Sequence, residues 1–132
     1  MAYNFSTVSV EQFQKNRNEM LSNMRTLEEF CDVNLISEDG GRIRAHRVVL
    51  ASASTLLRDM FQSDEEKEEY QIIFMQGVST GFMSAMVEII YNGETRVKEE
   101  DCEKFLIILK KYKVLEDQFN QDKHLKTKYD IT

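Results

Sequence analysis

Between residues 33 and 45 the apolar positions follow a period of two. Val33 and Leu35, then Ile43 and Ala45, alternate with polar residues on either side of Glu38-Asp39-Gly40-Gly41. Such alternation gives a strand one buried face, and Asp-Gly tolerates the positive φ angles of a tight turn, so the stretch reads as a β-hairpin. A hairpin with one apolar face needs a second layer to cover it. The rest of the chain is expected to supply helices.

Residues Glu11–Phe30 read as the first of these. Phe13, Met20, Leu21, Met24 and Leu27 recur at near-heptad spacing and leave one apolar face, and Ser9 with Gln12 fits a capping box. After the hairpin, Val48–Ser52 and Ser54–Phe61 read as two short helices, the second with Leu56, Leu57, Met60 and Phe61 on one side. The acidic run Asp64–Glu69 reads as a solvated loop. Gln71–Met75 is a short β-run, apolar on both faces as in a covered strand. Ser79 can cap a helix carrying Phe82, Met83, Met86, Val87 and Ile90, which Asn92-Gly93 stops. Arg96 and Val97 are expected to form a brief strand. Cys102, Phe105, Leu106, Leu109 and Tyr112 line one face of a final helix. The order is helix, hairpin, helix pair, strand, helix pair, a mixed α/β (α+β) domain.

Polarity changes once, near Leu115; residues 116–132 read as a polar tail or the start of a linker, with scattered Phe119, Leu125, Tyr129 and Ile131. At 132 residues, 42% of them hydrophobic and 30% charged, the chain has the size and composition of one folded domain. No apolar run is long enough to span a bilayer, and residues 1–10 carry no signal-peptide pattern, so an intracellular, membrane-free protein is expected.

The chemistry-bearing residues are few. His46 and His124 stand far apart and belong to no metal-spaced cluster. Cys31 and Cys102 occupy positions expected to be apolar, where buried, inert thiols are the ordinary reading. No catalytic constellation, cofactor site or metal site emerges, and no enzymatic activity is expected. Net charge is 17 − 23 = −6, which opposes phosphate binding. The local clusters Arg42, Arg44, Arg47 and Lys110, Lys111, Lys113 have ordinary explanations beside acidic neighbours and at a helix C-terminus, so the domain is not expected to bind nucleic acid directly. One constellation stands out. Asp32 opens the first hairpin strand and Arg47 follows the second, so the hairpin brings their ends together. They form either a surface ion pair, worth little, or a charged pocket at an interface.

At these residues the sequence resembles a known family. Phe30-Cys31-Asp32-Val33-Asn34-Leu35, then Ala45-His46-Arg47-Val48-Val49-Leu50-Ala51-Ser52-Ala53-Ser54, then Leu57-Arg58-Asp59-Met60-Phe61, is similar to the BTB/POZ domain's "F-x-D-V-x-L" and "A-H-[KR]-x-x-L-A-x-x-S-x-x-[FL]-x-x-[ML]-F". Ile89-Ile90-Tyr91-Asn92-Gly93 resembles the later "[FIL]-[LI]-Y-[ST]-G". The resemblance spans about Glu11 to Leu115 and implies a BTB/POZ fold, a cluster of helices flanked by a short sheet, over residues 1–115. Residues 1–10 would be an extended segment able to swap a strand.

The resemblance further implies a protein-interaction module that homodimerises, with Phe13, Met20, Leu21 and Met24 of the first helix at the interface. Asp32 and Arg47 match the charged-pocket positions of BTB domains in zinc-finger transcription regulators. That setting implies a nuclear protein whose partners are itself, other BTB domains or corepressors. The competing setting is a substrate adaptor of a cullin-based ubiquitin ligase, but the loop Gln62–Lys67 lacks the apolar residue such adaptors carry. The absence of Trp departs from the tramtrack-like group and its higher oligomers.

Overall fold

The computed structural model describes residues 4–63 and 70–116. The acidic run Asp64–Glu69 and residues 117–132 of the expected tail lie outside them. In chain order the elements are α1 (Phe13–Thr26), β1 (Val33–Ser37), β2 (Arg42–Ala45), α2 (Arg47–Ala53), α3 (Thr55–Gln62), β3 (Gln71–Met75), α4 (Thr80–Asn92) and α5 (Cys102–Lys111), with a 3₁₀ turn at Glu99–Asp101 before the last helix. The class is α+β.

The expected hairpin forms, with Val33 opposite Ala45 and Leu35 opposite Ile43. Gly40 sits at φ +89°, where a side chain would be strained, and a Cβ on Gly41 would overlap the Thr80 side chain. Asp39 turns this tight approach into a joint: its carboxylate accepts from the Thr80 backbone N–H at 2.9 Å, the Thr80 hydroxyl at 2.7 Å and the Ser37 hydroxyl at 2.5 Å. Those bonds hold the carboxyl of Asp39 below its ordinary range. β3 joins β1 in parallel, giving the order β2-β1-β3, with α2 and α3 forming the crossover.

The inward rows of the sheet (Val33, Leu35, Ala45, Ile73, Met75) meet Leu50, Leu57, Met83, Met86, Phe105 and Leu109 in one core. Ser54 ties the helices beneath it. It caps α3 by accepting from Leu57 N–H and donates to the Tyr112 carbonyl at 2.6 Å. Ser79 caps α4, and Gly93 ends it at φ +82°, as the sequence leads one to expect.

Three expectations are corrected. The first helix is shorter than Glu11–Phe30. Gln12 is its N-cap, left-handed at φ 58° and without a side-chain bond, so no capping box with Ser9 forms. At the other end Glu28 takes the left-handed position that usually signals glycine, at φ 57°. Glu28 N–H donates to Arg25 O and Glu29 N–H to Met24 O, a complete Schellman stop made without glycine.

Strand β3 is not covered on both faces. The helices occupy one side of the sheet, and Ile72 and Phe74 remain 52% and 72% exposed on the other. Residues Arg96 and Val97 form no strand, because among the described residues no strand lies beside them.

Candidate interaction surface and its charged corner

Helix α1 contributes no buried residue. It rests on α4 through a Ser22–Asn92 side-chain bond of 2.5 Å and through Arg25, whose guanidinium lies 5.0 Å above the Tyr91 ring. Leu21 turns toward the core and Met24 is half-buried, while Phe13 and Met20 project into solvent. Phe5, Val8 and Val10 upstream, and Leu27 and Phe30 downstream, are exposed as well. An apolar row therefore runs along one helix and both its flanks, far more than scattered surface residues account for.

The structure brings Asp32 and Arg47 together. The guanidinium Nε of Arg47 lies 3.1 Å from Asp32 Oδ2, and the Arg47 backbone N–H donates to Asp32 Oδ1 at 2.7 Å. The second bond gives Asp32 a task that the sequence does not advertise. His46, the N-cap of α2, makes no side-chain cap, so the carboxylate of Asp32 caps the helix across the hairpin and sets a negative charge at its N-terminus. A further bond, 3.3 Å from Arg47 to Gln71 Oε1, ties the corner to β3. Arg47 also lines an open groove of about 690 Å³ between α2 and α3, together with Val48, Ala51, Arg58 and Phe61.

His46 fills the space behind the pair and is almost wholly buried. Its Nε2 lies 2.8 Å from the carbonyl of Glu29, which can only accept, so Nε2 carries the proton. Nδ1 then accepts from the Tyr91 hydroxyl at 2.7 Å, and that hydroxyl accepts from His46 N–H at 2.9 Å. Every polar atom of the triad is satisfied, and burial pushes the Tyr91 hydroxyl up to about 12. Cys31 lies beside this network, with Sγ 3.8 Å from His46 Nε2. Its thiol is half-buried, less enclosed than expected, and desolvation raises its pKa above the ordinary thiol value. Cys102 is half-buried too. The sequence names His46 only as part of the Ala-His-Arg motif; its position just before α2 was the available signal.

Tyr91→Phe should lower the unfolding midpoint. The substitution strands His46 N–H and Nδ1 in a buried site, a loss of about 1–2 kcal/mol, or roughly 5 °C at fixed protein concentration by circular dichroism. Tyr112→Phe, whose hydroxyl makes a long 3.5 Å bond to Gln76 O, should shift it less.

Among the described residues, no group of three His, Cys, Asp or Glu side chains could hold a metal, and no helix is long and apolar enough to cross a membrane. The sequence profile of the BTB/POZ domain matches residues 21–129.

The chain belongs to the BTB/POZ domain family.

As a BTB/POZ domain it is a protein–protein interaction module. Among curated proteins it is 36% identical over 94 residues to the Broad-complex core protein of Drosophila melanogaster and 34% identical over 76 residues to human Kelch-like protein 5. These alignments cover 71% and 58% of the chain but only 12% and 10% of the relatives' own length. The BTB domain of zebrafish PATZ1 superposes with a TM-score of 0.76 at 18% identity, over 93% of this chain and 99% of that one. The BTB domain of human gigaxonin gives 0.73 at 23% identity, over 88% and 92%. Those two likenesses speak for the fold alone.

Proposed function

We propose that this BTB/POZ domain is the homodimerisation module of a transcription regulator, with Phe13, Met20, Leu21 and Met24 of α1 in the interface. The observation that carries the reading is the apolar row on α1 and its flanks, where Phe5, Val8, Val10, Phe13, Met20, Leu27 and Phe30 stay exposed among the described residues. A face of that kind is ordinarily covered by a partner, and a second copy presents the same face. In this reading residues 1–115 form the interaction domain, and the exposed segment 4–10 reaches across to the second copy. The Asp32–Arg47 corner with its groove receives further partners, other BTB domains or corepressor peptides, in the nucleus.

Light scattering on a micromolar dilution series tests the first step. The expected mass is about 31 kDa, twice the 15.5 kDa of one chain. A folded species of single-chain mass would overturn the reading.

The similarity to Kelch-like protein 5 favours a second reading, a substrate adaptor of a cullin-based ubiquitin ligase. Against it stands the sequence Gln62–Lys67, which contains no apolar residue to offer the ligase scaffold. Purified cullin scaffold should therefore fail to retain this domain in a pull-down that retains an authentic adaptor. Stoichiometric capture would put the adaptor reading first.

A further inference from the structure

Among the described residues, strand β3 pairs only with β1 and forms one margin of the sheet. Gln71 N–H donates to Asp32 O, which fixes the phase of the parallel ladder. Gln71, Ile73 and Met75 turn their backbone groups toward β1, and Ile72 and Phe74 turn theirs to the open edge. Among the described residues none bonds to them there. The same two residues are 52% and 72% exposed on the sheet's uncovered face. Natural edges are blunted by charge, proline or a bulge, and Gln-Ile-Ile-Phe-Met has none of the three.

We propose that β3 is a self-association site distinct from α1, through which two copies pair antiparallel about a twofold axis at Ile73 and join their sheets into one. The strand is complementary to itself in backbone, side chain and charge. The axis sets Ile72 opposite Phe74 of the second copy, and Phe74 opposite Ile72, both as hydrogen-bonded pairs. Every outward N–H and C=O of these residues then finds a partner in both copies. Opposite residues of an antiparallel pair point to the same face, so each Phe74 packs on the other copy's Ile72 where both side chains are exposed.

Charge favours the antiparallel sense. Although the chain carries −6, residues 70–76 are uncharged, so no like charges meet along the ladder. The two ends of the strand differ in sign. Lys111 Nζ donates to Gln76 O at 3.4 Å, at one end. Glu68 and Glu69 precede Tyr70 in sequence, at the other. Antiparallel pairing brings the basic end of each copy to the acidic end of its mate, whereas a parallel pair would set like ends together. The contact is small. A five-residue edge falls well short of the ~1,200 Å² that a lasting pair buries, so a dissociation constant on the order of 100 µM is expected. It uses no residue of α1, so copies already paired through α1 can be linked further by their edges.

Light scattering on the full 132-residue chain tests this, with nuclear magnetic resonance on the same samples. Between about 10 µM and about 1 mM the mean mass should rise at least about 1.5-fold, and the Ile72 and Phe74 amide resonances should move with it. The ratio is the readout, so the result does not depend on whether the micromolar species is one chain or the α1 dimer. Ile72→Lys combined with Phe74→Lys should abolish the rise. So should Phe74→Pro, which removes only an outward N–H. In each variant a slowly exchanging Ile73 amide reports an intact sheet. Lys111→Glu should weaken association at least about threefold, since it sets like charges together at both ends. A constant mass would overturn the proposal. A rise that survives the β3 variants would place the contact elsewhere, and one that Lys111→Glu leaves unchanged would refute the antiparallel sense; either overturns it. Ile72 and Phe74 amides strongly protected in a dilute sample would mean that the chain's own residues occupy the edge, which overturns it equally.

Discussion

Met20→Asp combined with Met24→Asp should yield aggregated or unfolded protein in place of a native dimer. Met20 is 60% exposed and Met24 half-buried on a helix that has no fully buried residue and packs on the core only through half-buried Leu21. In the proposed dimer both thioethers would leave water. Two carboxylates placed there would be desolvated without partners, a penalty of several kcal/mol, against about 2 kcal/mol of lost apolar burial for each methionine. A dimer built on this face could not absorb such a loss, and the rest of the row, from Phe5 to Phe30, would remain bare. Size-exclusion chromatography with light scattering, alongside circular dichroism, reads the outcome. A folded dimer of unchanged midpoint would remove α1 from the interface.

The second large effect is expected at the charged corner. Asp32→Ala removes both the cap of α2 and the partner of a half-buried guanidinium, a loss of about 2–3 kcal/mol. Asp32→Asn keeps an acceptor for Arg47 N–H and should lose about half of that. Arg47→Gln leaves the cap in place and breaks only an ion pair whose side chains are 27% and 36% exposed, so about 1 kcal/mol is expected. Because the lone guanidinium is the costly state, the Asp32→Ala/Arg47→Gln double variant should lose less than the sum of the singles. Urea unfolding at one fixed protein concentration supplies the four values. Strict additivity would reduce the contact between guanidinium and carboxylate to a plain surface bridge and leave Asp32 its capping role alone.

What the sequence by itself determined is what short-range chemistry controls. Alternation around Asp39-Gly40 specifies the hairpin, Ser54 and Ser79 specify two helix starts, and Asn92-Gly93 specifies a stop, since each acts on backbone within a few residues. The family is legible for a related reason. Asp32, Ala45, His46, Arg47 and Leu50 sit at fixed positions around one hairpin and one helix start, and their spacing survives in the linear order.

Tertiary structure decided the rest. The stop of α1 at Glu28 carries no glycine, and its Schellman bonds stand beside a Glu28–Arg44 pair at 3.2 Å that only the folded sheet brings into reach. Whether Ile72 and Phe74 are covered depends on which side of the sheet the helices take, and three adjacent apolar residues cannot encode that. Asp32 caps a helix 15 residues away in the chain, and His46 depends on Tyr91, 45 residues on. Such bonds arise because the hairpin and α4 converge on one corner, a matter of packing and not of local pattern.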